Sequence, residues 1–166
     1  MATTVYVLGD DVSTDAIYPG RFMATVLPAE TPRFAFADDA AFSARLLAGD
    51  VTGGVVVAGR NFGCGSSREQ AASCLKGHDL TIVARGAARI FLQNAINLGL
   101  RVVLCPTIEA AAGDELDIGP AEVFNRTTGA RHRVTPLPAS RQAVIDAGGL
   151  IAYTRRRLAA AAPGDR

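Results

Sequence analysis

With 166 residues, 49% of them hydrophobic and 20% charged, and a formal net charge of +1, the chain has the make-up of one ordinary soluble domain and not of a disordered segment. At this length about 70% of the unfolded chain's surface can be buried, enough for a sizeable core. The near-zero charge gives nucleic acid no basic face: the one local cluster, Arg155-Arg156-Arg157, reads as a solvated helix end.

No apolar run reaches the length of about 18 residues that spans a membrane, and the start, Met1-Ala-Thr-Thr-Val-Tyr, lacks the basic and hydrophobic regions of a signal peptide. A cytoplasmic location is expected. Cys64, Cys74 and Cys105 are odd in number, form no CxxC and accompany only two histidines, so neither a disulfide framework nor a self-contained metal site is expected. Any metal chemistry would have to come from another chain.

Short, continuously apolar runs alternate with helical periodicity, which predicts an α/β domain whose mostly parallel, short-stranded sheet is flanked by helices. In chain order, Val5 to Leu8 reads as a strand and Ala37 to Leu47 as a helix with Asp in its first turn. Val55 to Ala58 is a second strand, followed by a helix from near Ser67 to Gly77. Leu80 to Val83 is a third strand, and Ala88, Phe91, Leu92, Ala95 and Ile96 form one apolar helix face closed by Gly99. Val102 to Cys105 is the fourth strand. After Pro106 the short runs Glu115 to Ile118, Glu122 to Asn125 and His132 to Thr135, with a turn at Thr127-Thr128-Gly129, predict a smaller second sheet or hairpin region. Two helices should meet at Gly148-Gly149, with residues 158–166 a frayed tail of this single domain (1–166). The proline-bearing segment from Gly20 to Pro32 reads as a mobile lid.

The most informative segment is Gly59-Arg60-Asn61-Phe62-Gly63-Cys64-Gly65-Ser66-Ser67-Arg68-Glu69. It leaves a buried strand, passes three glycines and enters a helix, which is how backbone N–H groups and a helix dipole are turned toward an anion. Gly63, Cys64 and Gly65 supply the loop backbone, and Arg68 can grip a carboxylate with two parallel hydrogen bonds. Ser66 or Ser67 could instead cap the helix. The segment matches neither a dinucleotide fingerprint nor a P-loop nor G-x-S-x-G, so a carboxylate suits it better than a nucleotide. Cys64 reads as a loop spacer, since neither His78 nor His132 is an obvious base for it.

A second loop, Gly9-Asp10-Asp11-Val12-Ser13-Thr14-Asp15-Ala16-Ile17-Tyr18-Pro19-Gly20-Arg21, follows the first strand. Loops beyond the carboxyl ends of parallel strands form the usual ligand crevice, so the two loops can face each other. Its aspartates could bind Ca²⁺, without the spacing of an EF-hand, or make Asx turns.

Together these segments, with Ala88-Arg89-Ile90-Phe91 and Asn94-Ala95-Ile96-Asn97-Leu98-Gly99, resemble the 3-isopropylmalate dehydratase small subunits, the separate-chain counterparts of the swivel domain of aconitase. The resemblance spans about residues 4 to 160 in the same order and implies a swivelling β/β/α domain. It also implies a hydro-lyase subunit, inactive alone, whose large-subunit partner holds a [4Fe-4S] cluster. Carried over, the first serine of the motif, Ser66, is the base that removes the carbon-bound proton as an alkoxide. Ser67 and Arg68 bind a substrate carboxylate, and Asp15 with Thr14 orients active-site groups close to the substrate. The segment after Pro19 would touch the variable group of the substrate: Met23 and Ala24 favour an apolar group, and Arg21 is able to reach in. That implies an alkyl-substituted malate, with methylmalate, dimethylmalate or homoaconitate as alternatives to 3-isopropylmalate. Asp11, Ser13, Gly86-Ala87 and Gln93 depart from the residues common in the family, which bears on the substrate and not on the reaction class. The rival reading is a stand-alone carboxylate or phosphate sensor built on the same glycine loop.

Overall fold

The computed structural model describes residues 1–161. Seven strands form one sheet: β1 (Ala2–Val7), β2 (Val55–Ala58), β3 (Thr81–Ala84), β4 (Val102–Leu104), β5 (Glu115–Ile118), β6 (Glu122–Asn125) and β7 (Arg131–Arg133), in the order β4-β3-β2-β1-β5-β6-β7. The first four pair in parallel, and β5 to β7 continue the sheet antiparallel from the other side of β1. The expected hairpin region is therefore joined to the parallel part through β1. The sheet also curls until its edges meet: Thr135, just past β7, donates its N–H to the Leu104 carbonyl of β4 at 2.8 Å.

This curling explains why β2 reads Val-Val-Val-Ala and is buried throughout. Val55 and Val57 point inward with Val83, Val103, Leu116, Val123 and Val134, while Val56 and Ala58 pack outward with Ile82 and Ala84. Strands covered on both faces need no polar alternation.

The outer face is covered by α2 (Ala40–Ala48), α3 (Glu69–Gly77) and α4 (Arg89–Leu98), with α1 (Thr14–Ile17) a single turn after β1. Ala71, Ala72 and Leu75 of α3 and Phe91, Ala95 and Ile96 of α4 are the buried positions expected from their spacing. Helix α2 starts at Ala40 and not Ala37, because Phe36 takes a positive φ and Asp39 caps the helix, accepting the Phe42 N–H at 3.0 Å. Tyr6 of β1 stacks on Phe42 and donates its hydroxyl to Asp39, which with burial pushes the phenol up to about 12 and holds the Asp39 carboxyl low.

Helices α5 (Ala139–Asp146) and α6 (Leu150–Ala161) meet at the glycine pair as expected. The tail read as frayed from residue 158 is still helical through Ala161, and residues 162–166 lie outside the described residues. The segment read as a lid carries two 3-10 turns, Gly20–Phe22 and Thr31–Phe34. Among the described residues, no helix is long and apolar enough to cross a membrane.

Candidate active site

Because β1 and β2 are parallel neighbours, the loops leaving their carboxyl ends run side by side. They are stitched along their length. Gly59 donates its N–H to the Gly9 carbonyl at 3.0 Å, Asp11 to Arg60 at 2.9 Å, Gly63 to Val12 at 2.7 Å and Thr14 to Cys64 at 2.8 Å. Side chains add two further ties: the Arg60 N–H donates to Asp10 Oδ1 at 2.6 Å, and Asn61 Nδ2 to Asp11 Oδ1 at 2.7 Å. The loop after β3 joins them through Phe62, whose N–H donates to Gly86 at 3.0 Å and whose carbonyl accepts from Ala88 at 2.9 Å.

Phe62 is fully buried, edge-on to Phe91 of α4 with ring centroids 5.2 Å apart, and anchors the loop to the core. Gly63 then has φ +79, and a Cβ there would lie 2.2 Å from Phe91 Cγ, so only glycine fits both the conformation and the space. Beyond this anchor the chain turns outward, and Gly65, Ser66 and Ser67 are exposed.

Neither serine caps α3. The cap position is Arg68, without a side-chain cap bond, and the helix starts at Glu69, two residues later than expected. Among the described residues the hydroxyls of Ser66 and Ser67 have no hydrogen-bond partner, and the N–H groups of Glu69 and Gln70 have no backbone acceptor. Two free hydroxyls thus stand beside unspent donors and the positive end of a helix dipole.

Arg68 points back under the loop, with its side chain 16% exposed against 62% for Asp15. Its Nη1 donates to Asp15 Oδ1 and, at 3.1 Å, to the Tyr18 carbonyl. The same Asp15 oxygen accepts the Gly20 N–H at 2.8 Å. The Arg68 guanidinium first, and the Gly20 N–H second, hold the Asp15 carboxyl below the usual carboxylate range. Arg68 Nε is buried without a partner, which costs desolvation on the very residue that the resemblance assigns to a carboxylate.

The other expected residues are placed differently from one another. Thr14, expected beside the substrate, is 2% exposed, and its hydroxyl donates to the Ser66 carbonyl at 2.9 Å, so it touches the loop. Arg21 pairs with Asp38 at 2.5 Å and lies over the Phe22 ring. Phe22 stacks on Phe34 against the core, whereas Met23 is 42% exposed, so the pair splits between packing and surface. Cys64 is half-buried and its Sγ donates to the Asp11 carbonyl at 3.3 Å. Both histidines are elsewhere: His78 Nε2 lies 2.9 Å from the Pro32 carbonyl, and His132 is buried in β7.

The Tyr18 carbonyl and the Gly20 N–H, which complete the hold on Arg68, were missed in the sequence because backbone groups carry no residue signature. The only signal was the turn-forming Pro19-Gly20 pair. A cavity of about 280 Å³ at the ends of β1 and β2, lined by Gly9, Asp10, Gly59, Arg85 and Glu109 among others, stops short of the serines, which stand on an open surface.

Residues 49–106 match the family described as the aconitase C-terminal domain. Along nearly its whole length the chain is 44% identical, over 153 residues, to the 3-isopropylmalate dehydratase small subunit of Methanosarcina mazei, covering 89% of this chain and 92% of that one. The chain belongs to the family of 3-isopropylmalate dehydratase small subunits. Other members of this small-subunit family are similarly close: the isopropylmalate/citramalate isomerase small subunit of Methanocaldococcus jannaschii is 38% identical over 93% of this chain and 94% of its own. A crystal structure of 3-isopropylmalate dehydratase from the same organism superimposes with a TM-score of 0.86 at 34% identity over 95% of each chain.

The iron-sulfur cluster that the resemblance implies does not fit the residues of this chain. Cys74 packs in the outer core and Cys105 inside the curled sheet, on opposite faces, while Cys64 is in the site loop. Among the described residues no group of three or more His, Cys, Asp or Glu could hold a metal ion. Asp10, Asp11 and Asp15 do not converge on a Ca²⁺ site: each binds a different partner, the Arg60 N–H, the Asn61 side chain and the Arg68 guanidinium.

Proposed function

We propose that this chain is the small subunit of a 3-isopropylmalate dehydratase, a hydro-lyase of leucine biosynthesis, and that it acts in the cytoplasm with a large subunit carrying a [4Fe-4S] cluster. The observation that carries this reading is the exposed Ser66-Ser67 pair, free of any capping role, on a loop fixed to its neighbours and backed by the Asp15–Arg68 ion pair. Such a site is half of a pocket, and a partner surface supplies the other half.

In this reading Ser66 Oγ, as an alkoxide, takes the proton from the substrate carbon; the C–H electron pair becomes the alkene bond as the C–O bond of the neighbouring carbon breaks, and the hydroxide so released would be taken up and protonated to water on the large subunit's side of the site. A serine hydroxyl is far too weak an acid to ionise unaided at neutral pH, so the α3 N-terminus and the Arg68 charge must stabilise the anion. Ser67 and Arg68 hold a substrate carboxylate. Asp15 does not touch the reacting atoms; it fixes one nitrogen of the Arg68 guanidinium, whose other nitrogens are left for the substrate carboxylate. Thr14 acts through the loop.

For the substrate's variable group, Met23, Val26 and Leu27 offer exposed apolar surface on the segment after Pro19, while Arg21 is occupied by Asp38. An alkyl group suits this better than the additional carboxylate of homoaconitate. A shorter alkyl-malate is the second reading, favoured by the relative whose name joins isopropylmalate with citramalate, a methyl-substituted malate.

The test is anaerobic reconstitution with the large subunit and a panel of 3-isopropylmalate, methylmalate, dimethylmalate and homoaconitate. The account predicts no turnover by either subunit alone and the highest kcat/KM for isopropylmalate. Tight carboxylate binding by the isolated chain, with no turnover by the complex, would instead identify a sensor.

A further inference from the structure

We infer that Thr14 is a positioning residue for Ser66, acting through two peptide carbonyls of the serine loop and not through the substrate; the inference rests on the dehydratase reading above. Thr14 is buried, so its hydroxyl cannot face a ligand. Its backbone N–H donates to the Cys64 carbonyl at 2.8 Å and its Oγ1 to the Ser66 carbonyl at 2.9 Å.

These two bonds grip the chain on either side of Gly65. Gly65 has φ +90, in a region that glycine enters and leaves with little resistance, and a Cβ there would meet nothing closer than 3.7 Å. Sterics therefore do not hold this hinge. The Ser66 carbonyl also accepts the Arg68 N–H at 2.9 Å. Because a peptide group is planar, fixing that carbonyl from two sides fixes the rotation of the whole Ser66–Ser67 peptide. With the Cys64 carbonyl also held, the backbone on both sides of Ser66 is fixed, and with it the direction of its Cα–Cβ bond, from which the hydroxyl swings only about χ1.

The same single turn reaches the other functional group. Thr14 accepts the Tyr18 N–H at 2.8 Å, and the Tyr18 carbonyl in turn accepts from Arg68. A four-residue helix has no stability of its own. Ser13 caps it, its hydroxyl accepting the Ala16 N–H at 3.1 Å, and its bonds to the serine loop hold it in place. Helix α1 is thus the part that sets Ser66 and Arg68 relative to each other, and the Thr14 hydroxyl is the side-chain link from it to the serine.

The test compares Thr14→Val, which keeps the shape and removes the donor, with Thr14→Ser, which keeps the donor, in the complex with the large subunit. Thr14→Val lowers kcat by about 10- to 100-fold with KM changed less than about threefold, as expected for a misplaced base. Thr14→Ser restores most of the loss. Added to Ser66→Ala, Thr14→Val lowers kcat little further, since the serine it positions is gone. Thermal melting and co-purification with the large subunit confirm folding, and Thr14→Ala takes the place of Thr14→Val should the valine variant fail to assemble. A Thr14→Val enzyme with unchanged kcat, or a Thr14→Ser enzyme as impaired as Thr14→Val, overturns the inference. An unimpaired Ser66→Ala enzyme overturns the underlying assignment of the base, a separate failure.

Discussion

Asp15, in the single turn after β1, and Arg68, at the start of α3, are 53 residues apart in sequence and form an ion pair that joins the β1 loop to the end of the serine loop. The Gly20 N–H and the Tyr18 carbonyl complete the arrangement by binding one partner each. An exposed pair of this kind contributes little to stability, but here the arginine is largely buried and the pair fixes its orientation. The ion pair therefore fixes the Arg68 side chain more than it stabilises the fold.

The pH dependence of that pair follows from its sign. The Asp15 carboxyl is held below its ordinary value by the Arg68 guanidinium and the Gly20 N–H. Its contribution is present above the unfolded carboxyl value of about 3.9 and is lost only as pH falls through the lowered folded value. Activity lost on acidification between about pH 6 and pH 5 therefore does not come from this pair. Carboxyl NMR titration checks this: Asp15 titrates below its ordinary value in the wild type and moves back up in Arg68→Gln.

Ser66→Ala lowers kcat of the reconstituted enzyme by about 10²- to 10⁴-fold, the usual weight of a positioned proton-transfer group, with a modest change in KM. The serine is exposed and makes no side-chain hydrogen bond among the described residues, so the melting temperature should not move. Steady-state kinetics beside a thermal melt checks both parts.

Arg68→Lys retains the charge and loses the planar fork. KM rises by about tenfold or more while kcat falls less, because one compact ammonium nitrogen cannot keep Asp15 and the Tyr18 carbonyl and also offer a substrate carboxylate the two parallel donors of a guanidinium edge. Unchanged KM would remove Arg68 from the carboxylate site.

Gly63→Ala destabilises the chain by about 1–3 kcal/mol through overpacking against Phe91, with backbone strain added. Phe91→Ala, which empties a site that is 1% exposed, costs about 3–5 kcal/mol. The double variant should cost less than the sum, because the alanine methyl fills part of the cavity. Denaturant unfolding of the three proteins measures the coupling.

The buried strands are legible because their surroundings are apolar on both faces: the apolar run Val55 to Ala58 coincides with β2 residue for residue. The apolar pattern starts β1 at Val5, yet the strand begins at Ala2, since Ala2 and Thr3 are recruited by pairing with Leu116 and Glu115 across a long separation. The closing contact between Leu104 and Thr135 is likewise set by sheet curvature, which no local pattern encodes. Helix α1 went unread because four residues cannot show a helical period. At the site, the glycine loop and its facing aspartate loop were visible as motifs. The burial of Thr14 and the choice between capping and free serines were not, because each depends on where a neighbouring chain segment ends up.

The most direct measurement is anaerobic recovery of the tagged chain from its native extract, with identification of any stoichiometric partner, assay of bound iron and sulfide, and a test of the eluate on 3-isopropylmalate. The account predicts a larger iron-sulfur partner and turnover that disappears when the tagged chain carries Ser66→Ala. A lone, iron-free chain that binds a small carboxylate and turns nothing over would contradict it.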